Sequence, residues 1–189
     1  MKQKLNAKFL RHRQPTIEQL AKIKRQPIYI ILDNVLDTYN IGAIFRLADA
    51  VAACEIVICG RSQTPPNIKI HRAAIGTEEW VPWRYQQTAK EAISDLRKRN
   101  AKIKIFAIEQ SDQSLDYRKT SYSFPLALVI GNESYGVSQE ALGLVDKVLE
   151  VPMWGFNVSL NAMISLAIVL WRAMEEKQLK VKNLKSKIN

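Results

Sequence analysis

The sequence is poor in the residues that staple small secreted folds or hold metals. Its 189 residues include two cysteines and two histidines. Cys54 and Cys59 share one apolar stretch, so neither a disulfide framework nor a zinc-ligand spacing is present. His12 and His71 stand alone in the sequence, and no metal is expected. The charged N-terminus has no apolar segment behind it, so no signal peptide is read. The longest apolar stretch, Ala162 to Leu170, is broken by Ser165 and is too short to span a bilayer. There is no internal repeat and no low-complexity tract. These absences point to a reducing, cytoplasmic protein that does not enter a membrane.

What is present is a hydrophobic fraction of 47% on a 21.6 kDa chain, enough for one domain with its own core. The net charge is +10, and it is unevenly placed. Residues 1–26 carry +7, residues 172–189 carry +4, and the body between them carries −1. Three parts are therefore expected: a basic arm over 1–26, a globular domain over 27–172 and a basic tail over 173–189. Cationic ends on a neutral body suit a polyanionic partner; charge on solvated, frayed ends is the alternative.

The body alternates strand-like and helix-like segments. Pro27–Asp33, Glu55–Cys59, Ile103–Ile108, Pro125–Ile130 and Lys147–Val151 read as strands, several apolar throughout, as strands buried on both faces are. Asn40–Ala53 reads as a helix, with Ile41, Ile44, Phe45, Ala48 and Ala52 on one stripe. Thr88–Asn100 and Ser138–Leu144 read as further helices, and a long helix begins at Ser159. The pattern predicts an α/β fold: a mostly parallel sheet with helices on both faces. The last helix is apolar nearly all round from Leu160 to Trp171. One small sheet covers only one side of it, so a homodimer is expected to cover the rest.

Three constellations stand where chemistry belongs, at the C-terminal ends of predicted parallel strands. The first runs from Asp33 through Asn40 to Arg46. Six residues separate Asn40 and Arg46, nearly two turns, which places them on related faces with the arginine available to a phosphate. A helix cap at Asn40 and a surface pair between Arg46 and Asp49 is the alternative. The second is Gly131-Asn-Glu133-Ser-Tyr-Gly136, whose glycines let backbone approach a ligand; it is not a phosphate loop of known spacing. A plain strand-to-helix turn capped by Ser138, with Glu140 in the first turn, reads equally well. The third is Val151-Pro-Met153 followed by Ser159-Leu160-Asn161, an apolar loop opening on small polar residues. It suits a nucleoside pocket, or else Ser159 caps the helix and the rest is core.

Together the three resemble the motifs of the SpoU family, the TrmH-type branch of the SPOUT (α/β-knot) methyltransferases. The first motif reads Asn40-Ile-Gly-Ala-Ile-Phe-Arg46, the second Gly131-Asn-Glu133-Ser-Tyr-Gly136, the third Val151-Pro-Met153 with Ser159-Leu-Asn161. Ala74-Ile-Gly76-Thr-Glu-Glu79-Trp80-Val-Pro82-Trp83 is similar to a further family segment. The resemblance covers roughly residues 28–172. Thr38, Ser134, Val151 and Ala162 depart from the usual residues, and no catalytic residue type is lost.

The resemblance implies a C-terminal deep trefoil knot, an exception to unknotted chains. It implies S-adenosylmethionine as cofactor, held near Ile130, Gly131, Gly136, Val151, Met153 and Leu160. It implies methyl transfer to a ribose 2′-hydroxyl of RNA, with Arg46 catalytic and Asn40, Glu133, Ser159 and Asn161 shaping the site, often across a dimer. Arginine is a very weak base, with a pKa above about 12, so it would act in a perturbed setting or by holding a phosphate that helps take the proton. The partner is tRNA or rRNA. The lack of a separate N-terminal RNA-binding domain favours tRNA. A catalytically inactive RNA-binding protein of the same fold is the alternative function, and the intact motif residues argue against it.

Overall fold

The structure is a computed structural model and describes residues 14–186. The described residues form a seven-stranded, wholly parallel sheet: β1 (Gln26–Asp33), β2 (Ala53–Cys59), β3 (Trp83–Gln86), β4 (Lys104–Ile108), β5 (Leu115–Asp116), β6 (Leu126–Gly131) and β7 (Lys147–Glu150). Their spatial order is β3-β2-β1-β6-β4-β7-β5. The helices are α1 (Ile17–Ala21), α2 (Thr38–Ala50), α3 (Ile68–Ala74), α4 (Ala89–Arg99), α5 (Gln139–Leu142) and α6 (Ala162–Ser186).

Side-chain alternation along buried strands divides the core in two. On β1, Ile28, Ile30 and Leu32 enter the cluster under α2, α3 and α6. Ile31 enters the opposite cluster, with Ala92, Ile93 and Leu96 of α4 and Ala141 of α5. Helices therefore cover both faces, as the alternating pattern predicts. Every residue of β6 is buried, as its unbroken apolar run requires.

Four of the elements named above escaped the sequence reading, α1 among them. α3 buries only Ile70 and Ala74 of its seven residues, too few for a visible stripe; Asn67 caps it, accepting from the amides of Lys69 and Ile70 at 2.9 and 3.3 Å. β3 and the two-residue β5 are edge strands without a fully buried residue. α2 starts earlier than expected, because Asp37 and not Asn40 caps it, accepting from Tyr39 N at 2.8 Å. α6 starts later, at Ala162, because Asn161 and not Ser159 caps it; its Oδ1 accepts from the amides of Met163 and Ile164 at 2.9 and 3.3 Å.

Gly42 of α2 has a packing reason. A Cβ there would lie 2.6 Å from the Ile70 carbonyl and 2.5 Å from the Ala73 methyl, so any larger residue would force α2 and α3 apart.

Of the expected N-terminal arm, residues 1–13 lie outside the described residues. The described part holds α1, closed by a capping box between Thr16 and Gln19. Arg25 is a structural clamp: its guanidinium donates to the Trp80 carbonyl at 2.8 Å and to that of Ala53 at 3.4 Å. At the other end, α6 runs unbroken through residue 172. Its Lys177 donates to Gln26 Oε1 at 2.5 Å and lies 4.6 Å from the Phe124 ring centroid. No helix among the described residues is long and apolar enough to cross a membrane.

Candidate functional site

Three parallel strands end side by side at β6, β4 and β7, and the loops at their C-terminal ends line a cavity of about 620 Å³. Its walls come from the loop after β4 (Glu109, Gln110), the loop after β6 (Asn132 to Gly136), the end of β7 (Glu150, Val151) and the approach to α6 (Asn157, Ser159 to Ala162). Apolar side chains of Ile108, Ile130, Leu149, Val151 and Leu160 form part of it. An apolar wall with a polar rim at the strand ends is the usual build of a nucleotide-sized site.

The loop after β6 folds on itself. Asn132 and Gly136 exchange both backbone hydrogen bonds at 2.9 Å. Asn132 Oδ1 accepts from the amides of Ser134 and Tyr135 at 2.9 and 3.0 Å, and its Nδ2 donates to the Asn34 carbonyl at 2.9 Å. Gly136 has φ +68°, and a Cβ on it would collide with the Glu109 carboxylate; one on Gly131 would collide with the backbone of Gly136 and Val137. Both glycines are therefore required by the turn itself.

Glu133 stands out from this loop and joins the three sequence constellations. Its Oε1 accepts from Asp37 N at 3.1 Å and from Asn40 Nδ2 at 2.9 Å, and its Oε2 accepts from Leu36 N at 3.1 Å. Asn40 Oδ1 in turn accepts from Asn161 Nδ2 at 3.0 Å. A glutamate, an asparagine 93 residues away and another 121 residues from that one thus form one chain of hydrogen bonds. Partial burial pushes the Glu133 carboxyl up, but the bonds from Asn40 and the backbone amides outweigh it and hold its pKa below the ordinary value. Asn40 is buried, so its amide has no water to fall back on.

The expected residues divide as follows. Ile130, Gly131, Gly136, Val151 and Leu160 line the cavity, with Glu133, Ser159 and Asn161; Met153 does not line it. Ser159 is exposed, and its hydroxyl donates to Asn157 Oδ1 at 3.1 Å. Asn40 and Arg46 do not share a face. Six steps of about 100° set them about 120° apart, so Asn40 is buried while Arg46 is exposed. Among the described residues Arg46 makes neither a hydrogen bond nor an ion pair, and Asp49 is occupied by Trp80 Nε1 at 2.7 Å. The turn reading of the second constellation holds in part: Ser138 precedes α5 and Glu140 lies in its first turn, but the serine hydroxyl caps nothing.

Several roles escaped notice because single acids and amides carry no local signature. Asp33, buried at the end of β1, accepts from Ser138 N at 2.8 Å and from Asn34 Nδ2 at 2.9 Å. Glu109 accepts from Val137 N at 2.8 Å and Gln110 N at 2.9 Å, pinning the glycine turn from the β4 side. His71, isolated in the sequence, is not isolated in space: it pairs with Glu78 at 2.5 Å and lies 3.9 Å from Glu79.

Comparison with known proteins places this architecture. The profile of the SpoU rRNA methylase family matches residues 27–171. A tRNA (guanosine(18)-2′-O)-methyltransferase of Escherichia coli K12 is 32% identical over 165 residues, spanning 85% of this chain and 68% of that protein. The crystal structure of the A. aeolicus TrmH/SpoU tRNA modifying enzyme superposes with a TM-score of 0.74 at 25% identity, over 92% of this chain and 83% of that one. The SpoU methyltransferase AviRb from Streptomyces viridochromogenes, in complex with the cofactor AdoMet, has a TM-score of 0.74 at 26% identity, over 84% and 64%.

Proposed function

We propose a function from one premise: the chain belongs to the SpoU rRNA methylase family. It is an S-adenosylmethionine-dependent methyltransferase acting on a ribose 2′-hydroxyl of RNA, with tRNA as the favoured substrate and the cytoplasm as its place of action. The observation that carries this reading is the convergence of the three motifs. Asn40, Glu133 and Asn161 come from separate segments and meet in one hydrogen-bond chain beside a nucleotide-sized cavity. The tRNA preference rests on the relatives, one a tRNA (guanosine(18)-2′-O)-methyltransferase and one a tRNA modifying enzyme.

The cavity fits S-adenosylmethionine. Its volume lies within the usual range for small ligands, its apolar wall suits an adenine, and the glycine turn keeps side chains out of the way of the loop backbone. The residues we assign to hold the cofactor are Ile130, Gly131, Gly136, Val151 and Leu160; Met153, outside the cavity lining, is not assigned to it. When bound, S-adenosylmethionine supplies a methyl group already activated on a sulfonium, so the protein's task is mainly alignment.

The chain's own residues divide that task. Glu133 gathers the amides of Leu36 and Asp37 and the side chain of Asn40. It thereby fixes the start of α2, the helix that carries Arg46, and acts as a positioning residue. Asn161 ties the start of α6 to the same point. Ser159 offers a hydroxyl at the cavity edge. Arg46 holds an RNA phosphate and, with it, helps receive the proton that the ribose hydroxyl loses.

Arg46 does not line the cavity of its own chain, and this supports a homodimer in which each arginine serves a shared site. Exposed apolar side chains support it further. Ile164 and Trp171 on α6 are 42% and 45% exposed, and Leu36 just before α2 and Tyr39 in its first turn are 45% and 65% exposed. We propose that these faces meet across the dimer, and that residues 151–161 thread the loops after β4 and β6 as a deep trefoil knot. The meeting of Asn161 with Asn40 at 3.0 Å supports such threading.

The test is transfer of label from methyl-labelled S-adenosylmethionine to bulk tRNA and rRNA, followed by mapping of 2′-O-methyl sites in cells lacking the protein. Label on tRNA and one missing tRNA methyl are expected. Absence of transfer to any RNA would leave a non-catalytic RNA-binding protein of the same fold.

A further inference from the structure

We infer that Glu109 and Glu150 make the cavity select the cationic methyl donor over its neutral product; the inference rests on the cofactor reading above. The chain carries +10 overall, yet the cavity lining holds three carboxylates, Glu109, Glu133 and Glu150, and no lysine, arginine or histidine. Glu133 is committed to Leu36, Asp37 and Asn40. Glu109 and Glu150 are placed differently. Ile108 of β4 pairs with Leu149 of β7, and Glu109 N donates to the Leu149 carbonyl at 3.0 Å. The two glutamates therefore follow one another across neighbouring strand ends, on strands about 4.8 Å apart.

Neither forms an ion pair among the described residues. Their partners are neutral donors: the amides of Val137 and Gln110 for Glu109, and the Ser114 hydroxyl, at 2.8 Å, for Glu150. Such donors orient a carboxylate and leave its charge in place. Two like charges at one cavity wall repel each other and attract a cation.

The methyl donor is that cation. It carries a sulfonium and an ammonium against one carboxylate. Transfer leaves the carbon–sulfur bonding pair on sulfur while the new carbon–oxygen bond forms at the ribose and the hydroxyl proton passes to the RNA phosphate held by Arg46. The product is a neutral thioether with no net charge. The same wall that draws the donor in thus releases the product. One unit charge across a few ångströms of partly wet pocket is worth about tenfold in affinity.

The test is calorimetric titration of the full chain with S-adenosylmethionine, S-adenosylhomocysteine and the amine analogue in which a protonated amine replaces the methyl sulfonium. The wild type is expected to bind both cations at least about tenfold more tightly than the thioether. Glu150→Gln, which keeps an acceptor for Ser114, is expected to lose about tenfold for the cations and nothing for the thioether; Glu109 is left in place because both its oxygens hold the glycine turn. A wild type without preference, or a variant that weakens all three ligands equally, would overturn the inference while leaving the cofactor reading intact. Failure of the wild type to bind any of the three would overturn both.

Discussion

Replacing Asn40 by aspartate tests the hydrogen-bond chain at its centre. In the wild type the Asn40 amide donates to Glu133 at 2.9 Å. In Asn40→Asp a second carboxylate faces Glu133 at that separation, on a buried position. Coulomb's law gives about 1.4 kcal/mol of repulsion at the dielectric of water and about 6 kcal/mol at an effective value of 20. Glu133 is largely exposed, so a total cost of about 2–4 kcal/mol is expected once the lost hydrogen bond is included. For a chain of this size that lowers Tm by about 4–15 °C.

The pH dependence carries the sharper signature. In the wild type Glu133 has a depressed pKa, so its contribution is complete above the ordinary value of 4.5 and is lost as pH falls below it. In Asn40→Asp the two carboxylates share the site and one has a raised pKa. The folded variant then binds more protons than the unfolded chain, and its stability rises as pH falls from neutrality towards the ordinary carboxylate range. The control is Asn40→Ala, which loses both hydrogen bonds without adding charge and keeps no such slope. The assay is thermal unfolding of the three proteins at pH 5 and pH 8. If aspartate and alanine variants lose the same stability at both values, Asn40 and Glu133 are not coupled as described.

Three further outcomes are expected. Arg46→Ala, at an exposed position without a partner among the described residues, should abolish methyl transfer while shifting Tm by no more than about 2 °C; wild-type turnover would remove the arginine from the mechanism. Trp171→Glu should bring the solution mass, read by light scattering, down from twice 21.6 kDa to 21.6 kDa, and an unchanged dimer would place the interface elsewhere. Removal of residues 1–24 should weaken RNA binding and flatten its salt dependence without changing cofactor affinity, and unchanged RNA affinity would take the arm out of substrate binding. Arg25 is left in place there because it clamps Trp80 and Ala53.

Much of the fold was legible because buried strands announce themselves. The apolar runs at 28–32 and 126–130 and the stripe Ile41, Ile44, Phe45, Ala48 need no tertiary information, since burial on both faces or on one stripe fixes residue type at a fixed period. The cavity-lining glycines and the triplet of Asn40, Glu133 and Asn161 were legible for another reason: they stand in three ordered motifs. What their roles are was not. Asn40 reads as a helix cap, yet Asp37 takes that place and Asn40 bridges Glu133 and Asn161. Ser159 reads as the cap of the last helix, yet Asn161 holds it.

By itself, then, the sequence determined composition, charge placement, the α/β alternation and the residue types of the site. These follow from local spacing and from the hydrophobic demand of each element. The tertiary structure decided the strand order β3-β2-β1-β6-β4-β7-β5, the exposure of Arg46, and the gathering of Glu109, Glu133 and Glu150 at one cavity. Each of those depends on contacts between residues far apart in the chain. Burial alone does not set the order of central strands that are similarly apolar, such as β1, β2 and β6, and no local pattern reports which carboxylates will share a wall.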